Sequence, residues 1–354
     1  MNIVARATLL LALLICITLE PLVWGQDSRD SSSPYGVLDF PQWNHEWNNY
    51  FYDTQEKLER AATMMEEAGV RWLRMDFLWA DVEPEQGHFD FERYDRIVET
   101  LTKHHIRVLG ILEYNPLWRP VNWNNAPDPA TYLLYVGSVV HHFKDRVKYW
   151  EVWNEPDQKT YWDPQDDLKA YSELLRAAYP VIKREDATAQ VLAGAASDYI
   201  ARALNSLYKQ AGRDSFDIVN VHPFVDQPAS ANALNSLLTI YKDVRTVMGK
   251  YDDSNKPIWF TEIGSPGVGP NGPKDGWWGG VPPTEGQQAK WLEIVYRNSL
   301  QWKGVQKVFW AFFRETDHHF NNAIDTFGLV HTDFSSKPAY VAYQNIAKGA
   351  SQKD

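Results

Sequence analysis

Two glutamates in this chain end β-rich, apolar segments, at positions where their carboxyl groups could do chemistry. Glu155 lies near the end of YWEVWNEP (residues 149–156), and Glu262 lies near the end of PIWFTEIG (residues 257–264). Two carboxyl groups that are held close together can act as a proton donor and a nucleophile in one reaction. The chain must therefore bring two segments together that are far apart in sequence.

The elements that would position these glutamates form a regular series, in which short β-rich segments alternate with longer amphipathic segments eight times. The predicted strands are residues 36–40, 70–76, 106–112, 147–153, 190–194, 216–222, 257–261 and 306–310. The predicted helices begin near Thr54, Asp90, Asp128, Leu168, Tyr199, Asn232, Thr284 and Pro338. Near-continuous apolar strands between helices indicate a parallel sheet covered by helices. Eight units predict an α/β fold, a single (β/α)8 TIM barrel, over residues 35–354.

An open, doubly wound sheet would alternate in the same way. Its Gly-rich phosphate turn is absent after the first predicted strand, and polar residues follow many different strands instead. This pattern favours the barrel. Two long connections, residues 264–283 with Trp277 and Trp278 and residues 311–336 with His318 and His319, follow the seventh and eighth strands. Connections of this length are usually functional. The two histidines have no third ligand at regular spacing, so we predict no metal site.

The N-terminus has the layout of a secretory signal peptide. A basic start at residues 1–6 precedes an apolar run over 7–19 and a small-residue exit before Gln26. The apolar run is short for a membrane span, so an uncleaved anchor is the less favoured alternative. We expect a signal peptide at residues 1–25, a disordered linker at 26–34, and a secreted or periplasmic protein without membrane attachment after cleavage.

The amino-acid composition limits the classes of partner that the chain is expected to bind. The formal net charge of −11 argues against nucleic acid, which normally demands a basic face. The only cysteine is Cys16, so the mature chain would depend on packing and not on disulfides. The chain has 16 Trp and 18 Tyr, which is more than a core needs. Flat aromatic faces suit sugar rings, although most such rings pack in cores.

The two glutamate segments resemble a known signature. YWEVWNEP resembles the fourth-strand motif of the clan A glycoside hydrolases, in which the Glu after Asn is the general acid/base. PIWFTEIG resembles the seventh-strand motif of that clan, in which the Glu is the nucleophile. The resemblance covers nearly all of the mature chain. It implies a retaining β-glycoside hydrolase that needs no cofactor, with Glu155 as acid/base and Glu262 as nucleophile.

The implied reaction sets requirements for the two carboxyl groups. Retention needs one group to protonate the leaving oxygen and another to attack the anomeric carbon, about 5 to 5.5 Å apart. We expect a less solvated pocket and the charge of Glu262 to raise the pKa of Glu155. Nearby donors would keep Glu262 ionised.

Four further residues match the clan pattern as substrate-site residues. Arg74, at the end of the second predicted strand, matches the Arg that hydrogen-bonds the nucleophile, and Asn154 matches the residue that contacts the sugar 2-hydroxyl. His222 matches the sixth-strand His near the acid/base, and Trp310 matches the eighth-strand Trp beneath the bound sugar. A purely structural role for Arg74, His222 and Trp310 remains the alternative. Mid-strand Glu151 is predicted to be structural, paired with a donor such as Arg74.

One position departs from the pattern. Many clan members have a Tyr two residues after the sixth-strand His, which donates to the nucleophile, but this chain has Phe224, which cannot donate a hydrogen bond. Either another Tyr fills the role or the nucleophile is tuned differently.

Within the clan, segments such as WLR (72–74) and PEQG (84–87) look most like family 39 and its relatives, which include β-xylosidases and endo-acting enzymes on exopolysaccharides. We expect a monomer that acts within an oligo- or polysaccharide chain. An exo-β-glycosidase such as a β-xylosidase, a transglycosylase and a non-catalytic carbohydrate-binding barrel remain alternatives.

Overall fold

A computed structural model describes residues 32–49, 51–270, 272–273, 275–276, 281–316 and 318–350. The predicted signal peptide, most of the predicted linker, and Trp277 and Trp278 lie outside these residues. In the described part of the chain, no helix combines the length and apolar content that crossing a bilayer requires.

Eight parallel strands form one sheet in the order β5-β4-β3-β2-β1-β8-β7-β6. They are β1 Tyr35–Leu38, β2 Trp72–Leu78, β3 Arg107–Glu113, β4 Tyr149–Val152, β5 Gln190–Leu192, β6 Val219–Val221, β7 Ile258–Ile263 and β8 Val305–Ala311. Bridges from Leu192 to Ile218 and from Ala196 to Val221 join the two edge strands. The sheet therefore closes, and the predicted (β/α)8 barrel is confirmed.

Nine helices of the described residues surround or cap the strands. They are α1 Gln55–Ala68, α2 Trp79–Val82, α3 Glu92–Lys103, α4 Pro129–Phe143, α5 Lys169–Glu185, α6 Ile200–Ala211, α7 Ala233–Lys250, α8 Glu285–Ser299 and α9 Pro338–Ala350. Thr54, Asp128 and Thr284 cap α1, α4 and α8, because each side chain accepts a hydrogen bond from a first-turn backbone N–H. The predicted helix starts are thus confirmed to within two residues.

The lower part of the barrel is filled by apolar side chains from several strands. Trp72, Leu109, Leu192, Trp259 and Phe309 pack together there, each at most 1% exposed. Side chains two residues apart on a strand face the same side, so Arg74 follows Trp72 into the barrel interior one layer higher. This apolar layer fills the barrel beneath the polar residues of the mouth.

Three strand boundaries differ from the sequence predictions. Arg74 does not end the second strand, because β2 continues to Leu78 in register with β3. Glu262 lies inside β7 and not after it, and β6 covers only three residues. β6 begins at Val219, where pairing with β7 starts, although the backbone N–H of Asp217 before it already donates to Val191 of β5 at 2.7 Å.

Gly110 in β3 offers a test of the core. A Cβ at this position would lie 2.6 Å from the Trp150 ring and 2.8 Å from the Phe77 ring. We expect Gly110→Ala to lower the free energy of unfolding by about 1–3 kcal/mol through overpacking, measured by urea denaturation. Gly137→Ala in α4 is the matched control, since its Cβ would meet only Val181 at 3.5 Å and should stabilise the helix by about 0.5–1 kcal/mol. Equal stabilities for the two variants would contradict this description of the core.

Candidate active site

Glu155 reaches the barrel mouth through a sharp turn after β4. Trp153 and Glu155 adopt positive φ angles of 67° and 41°, which are uncommon for residues other than glycine. The Trp153 indole N–H donates to the carbonyl of Tyr161 at 2.8 Å and holds the turn in place. The turn leaves Glu155 only 7% exposed.

Arg74 connects the strands that carry the polar residues of the mouth. Its Nε and Nη2 donate to the two oxygens of Glu151 at 2.9 and 3.0 Å. Nη2 also donates to Asn154 Oδ1 at 2.9 Å, and Nη1 donates to Glu262 Oε1 at 2.5 Å. Arg74 is 1% exposed and Glu151 is fully buried, so this pairing is sheltered from solvent. The predicted pairing of Glu151 with Arg74 is confirmed.

Glu262 faces the mouth because β7 is irregular. Strict alternation from the inward-facing Trp259 would put Thr261 on the inner face of the barrel and Glu262 on the outer face. The pairing of β7 with β8 shifts register between Phe260 and Ile263, and such an irregularity re-aims a side chain. The Glu262 carboxylate thereby meets Arg74 and stays 14% exposed.

The two predicted catalytic glutamates and His222 come together. One oxygen of Glu155, one oxygen of Glu262 and one ring nitrogen of His222 all lie within 4.8 Å of one another. Nδ1 of His222 is 2.6 Å from Glu155 Oε1 and 3.7 Å from Glu262 Oε1. Retaining glycosidases hold their two carboxyl groups about 5–5.5 Å apart and inverting ones about 6.5–9.5 Å. The spacing here fits the retaining arrangement.

The surroundings of the two carboxyl groups differ. Burial raises the pKa of Glu155 to about 7, with the charge of Glu151 adding to the effect, and a hydrogen bond from Ser197 and the charge of Arg74 oppose it. Burial also raises the pKa of Glu262, whereas His222 and Arg74 oppose the rise. Because only Glu262 makes a 2.5 Å contact with the guanidinium, the negative charge of the pair is best placed there. The proton then resides on Glu155.

His222 is a neutral contact for Glu155. Burial lowers the pKa of the imidazole to about 4, and the side chain is fully buried. A neutral imidazole carries one proton and one lone pair, so Nδ1 can donate to an ionised Glu155 or accept the proton of a neutral one. The 2.6 Å contact can therefore persist in both protonation states of Glu155. Among the described residues, Nε2 has no hydrogen-bond partner.

Glu262 is not held by a tyrosine. Phe224 occupies the position where a phenol was expected, and no tyrosine hydroxyl of the described residues donates to the Glu262 carboxylate. The guanidinium of Arg74 is its donor, with the imidazole of His222 nearby. Glu262 is thus held by the arginine that the clan pattern also has, without a phenol donor among the described residues.

Trp310 lies where the clan pattern expects the residue beneath the sugar, but it is completely buried. Its indole N–H donates to the carbonyl of Phe327 at 3.1 Å, so the loop after β8 holds the ring in place. No face of the ring is open to solvent in this structure. Its role beneath a sugar therefore stays a prediction. Asn154, by contrast, is 9% exposed and is oriented by its bond from Arg74.

A second pair of carboxyl groups lies beside Arg74. Asp76 of β2 and Glu113 of β3 are buried and hydrogen-bonded to each other. Burial raises the pKa of Asp76 to about 6 and that of Glu113 well above its usual value, so the pair shares a proton. Gln42 donates to Asp76 at 2.7 Å. Acidic residues near the ends of two neighbouring strands were the available signal.

A divalent cation would find two carboxylates and an imidazole in Glu155, Glu262 and His222, a donor set that suits zinc. The guanidinium of Arg74 already lies 2.5 Å from Glu262 and brings a fixed positive charge to that position. Like charges at such short distance repel strongly in a buried site. The arrangement is therefore better suited to proton transfer and nucleophilic attack than to metal binding.

Known sequences show local similarity to this chain. A β-galactosidase family model, glycoside hydrolase family 42, matches residues 47–111, which include β2 and most of β3. The anti-sigma-I factor RsgI6 of Acetivibrio thermocellus is 26% identical over 249 residues, which are 66% of this chain and 28% of that protein. The chain thus spans less than a third of that relative.

Solved structures match over most of the chain. A family 39 glycoside hydrolase from Bacteroides cellulosilyticus superposes with a TM-score of 0.68 at 21% identity, over 90% of this chain and 64% of that one. A monomeric β-xylosidase from Caulobacter crescentus superposes with a TM-score of 0.69 at 18% identity, over 90% and 68%. The chain shares the (β/α)8 barrel fold of these enzymes. In this barrel, Glu155 follows β4 and Glu262 lies near the end of β7, the strands that carry the two resembling motifs.

Proposed function

We propose that the protein is a retaining glycoside hydrolase that cleaves β-linked glycans. The observation that carries this proposal is the approach of Glu155 and Glu262 within 4.8 Å in unlike surroundings. Burial favours the protonated form of Glu155, and Arg74 favours the ionised form of Glu262. One group is thus ready to donate a proton and the other is ready to attack.

The reaction would follow a double displacement. In the first step, a carboxylate oxygen of Glu262 bonds to the anomeric carbon while the bond to the leaving oxygen breaks, and Glu155 gives its proton to that oxygen. In the second step, Glu155 takes a proton from water, the water oxygen bonds to the anomeric carbon, and Glu262 leaves as a carboxylate. The His222 contact suits both states of Glu155. Asn154, oriented by Arg74, is placed to bind a sugar hydroxyl beside the reacting carbon.

A pH profile tests the assignment of Glu155. Because the first step needs the protonated carboxyl and its pKa is about 7, we expect kcat/KM to fall as pH rises through 7, by nearly tenfold per unit well above it. The hydrogen bond from Ser197 lowers this pKa, so Ser197→Ala should move the basic limb to higher pH. Glu155→Gln should remove the limb. A basic limb that survives in Glu155→Gln would assign the titration to another group.

We propose endo action on a polysaccharide. Exo action, for example by a β-xylosidase, would use the same carboxyl groups, and so would transglycosylation. Product length separates the first two: endo action releases oligosaccharides of mixed length early in the reaction, whereas exo action releases monosaccharide at similar rates from short and long substrates. Sugar acceptors added in excess would reveal transglycosylation as new, longer products.

Turnover itself is tested with a panel of β-linked polysaccharides and aryl β-glycosides. We expect the wild type to release reducing ends or aryl alcohol. The double variant Glu155→Gln/Glu262→Gln should release neither. Binding of a glycan without turnover of any panel member would favour the non-catalytic carbohydrate-binding barrel.

We further propose that the protein is exported to the periplasm or the medium and is monomeric. N-terminal sequencing of the exported chain would test the export, and light scattering would test the oligomeric state.

A further inference from the structure

A groove of about 880 Å³ opens beside the candidate active site, between the loops after β5 and β6, the first turn of α6 and the N-terminal part of α7 as far as Asp243. The residues that matter here are Ser197, Tyr199, Arg202, Phe224 and Ser236, which all line it. Its volume lies in the range of about 300–1,000 Å³ that ligand sites occupy. The groove is therefore large enough to hold part of a bound molecule.

The groove begins at the proposed proton donor. Ser197 lines the groove and hydrogen-bonds the Glu155 carboxyl, and its hydroxyl also accepts a hydrogen bond from Gln158 at 2.7 Å. The loops after β5 and β6 are joined at the same point, because the backbone N–H of His222 donates to Ala196 at 3.0 Å. A molecule that leaves the site past Glu155 would enter this groove.

Tyr199 presents an aromatic ring to solvent at the groove. The residue is 76% exposed. Its backbone has a positive φ of 45°, and its carbonyl accepts hydrogen bonds from Arg202 at 2.7 Å and Ala203 at 3.1 Å. The start of α6 thus fixes the backbone from which the ring projects. An exposed, anchored aromatic ring with an apolar face and a polar edge suits the face of a sugar ring.

The charges of the groove favour a neutral ligand. Its lining includes one cation, Arg202, and two acidic residues, Asp226 and Asp243. No strong positive potential is available to attract an acidic glycan. Hydroxyl-bearing side chains such as Ser230 and Ser236 offer hydrogen bonds to sugar hydroxyls instead.

We propose that this groove binds the leaving-group side of a neutral, β-linked oligo- or polysaccharide, with a sugar ring packed on Tyr199. The inference rests on the proposed function, because the group that receives the proton of Glu155 must lie on the Glu155 side of the broken bond. It gives the protein a binding site for several sugar units beyond the scissile bond. A substrate whose leaving group is a single aryl ring reaches only the start of the groove.

The test compares two substrates of the same sugar, a β-linked polysaccharide that the wild type cleaves and the matching nitrophenyl β-glycoside. Tyr199→Ala removes the ring, and Tyr199→Phe keeps it. Ser236→Trp fills the groove from α7, on the surface of an exposed helix. Leu134→Ala is the matched control, since Leu134 is a 68% exposed apolar side chain of α4, outside the groove.

We expect the ratio of kcat/KM for the polysaccharide to kcat/KM for the aryl glycoside to fall by about tenfold in Tyr199→Ala and Ser236→Trp. In Tyr199→Phe and Leu134→Ala the ratio should stay within about twofold of the wild type. A ratio that stays the same in both Tyr199→Ala and Ser236→Trp would overturn the proposal. So would an equal loss on both substrates, because it would indicate damage to the barrel and not to a leaving-group site.

A binding measurement separates this proposal from the proposed chemistry. Titration calorimetry of Glu262→Gln with β-1,4-linked hexasaccharides of xylose, glucose and mannose should detect binding of at least one, weakened about tenfold by adding Tyr199→Ala. If no glycoside is turned over but this weakening is seen, the proposed binding of sugar in the groove is supported and the hydrolase proposal fails. If glycosides are turned over but Tyr199→Ala leaves hexasaccharide affinity unchanged, or if no hexasaccharide binds, the groove proposal fails.

Discussion

Glu262→Gln is expected to lower kcat by about 10⁴-fold or more, because the amide cannot attack the anomeric carbon and the covalent intermediate does not form. The fold should survive, since the amide oxygen can still accept the hydrogen bond from Arg74 that the carboxylate oxygen accepts at 2.5 Å. Steady-state rates on an aryl glycoside and on a polysaccharide measure the loss, and the melting temperature reports the fold.

Glu155→Gln should behave differently on the two kinds of substrate. The proton donor is needed most when the leaving group is a poor one, so the loss on a polysaccharide should approach about 10²–10⁴-fold. A nitrophenyl leaving group needs little protonation, and the first step on that substrate should be partly kept. Glu92→Gln is the matched control for the Glu-to-Gln change, because its carboxylate is 77% exposed on α3. Losses of equal size in Glu155→Gln on both substrates would contradict its role as proton donor.

Arg74→Met is expected to lower both stability and activity. The variant leaves the fully buried Glu151 carboxylate without its two hydrogen bonds from the guanidinium, and breaking a buried ion pair from one side typically destabilises by about 3–5 kcal/mol. It also removes the donor that holds Glu262 ionised. We therefore expect kcat/KM to fall by about 10²-fold or more, by analogy with the loss of one buried donor at a catalytic oxygen.

A second substitution separates the two effects of Arg74. In Arg74→Met/Glu151→Gln the unpaired buried charge is gone, so the free energy of unfolding should recover in part while activity stays low. Arg74→Lys keeps the charge but not the paired contact with Glu151, and it should be intermediate in stability. Urea denaturation and kcat/KM are the measurements. Near wild-type stability in Arg74→Met, or recovery of activity in the double variant, would contradict the role of Arg74 as the link between the two glutamates.

The barrel was predictable because its signals are local and repeat. Eight apolar runs alternate with helices whose starts carry capping residues such as Thr54 and Asp128, and these features depend on few neighbours. Strand ends were harder to predict, because they depend on which neighbour the backbone bonds. The predicted sixth strand begins at residue 216. In the structure Asp217 bonds to Val191 of β5, but pairing with β7 begins only at Val219, which is where β6 starts.

The site was predictable as a set of residues but not as a geometry. The motifs name Glu155, Glu262 and Arg74, yet the sequence does not show the β7 irregularity that re-aims Glu262. Arg74 lies in the middle of β2, and its long side chain lets the guanidinium reach the barrel mouth, where it bonds to three partners. The hydrophobic pattern of the sequence does not predict these three contacts. The sequence also did not predict the contacts between loops that are far apart in the chain.

Other features depend entirely on tertiary placement. The burial of Trp310 follows from the path of the loop after β8, whose carbonyl at Phe327 accepts its N–H. The groove beside Ser197 arises from the spacing between α6 and α7. A single exposed aromatic such as Tyr199 looks in the sequence like any other residue near a helix start.

The most direct test of the central claim is the configuration of the sugar when it is first released. The wild type is mixed with an aryl β-glycoside or a β-linked oligosaccharide that it cleaves, and proton NMR follows the anomeric signals within the first minutes, before mutarotation. The approach of Glu155 and Glu262 within 4.8 Å predicts that the β anomer forms first. Initial appearance of the α anomer would mean that water attacks directly, and it would contradict Glu262 as a nucleophile.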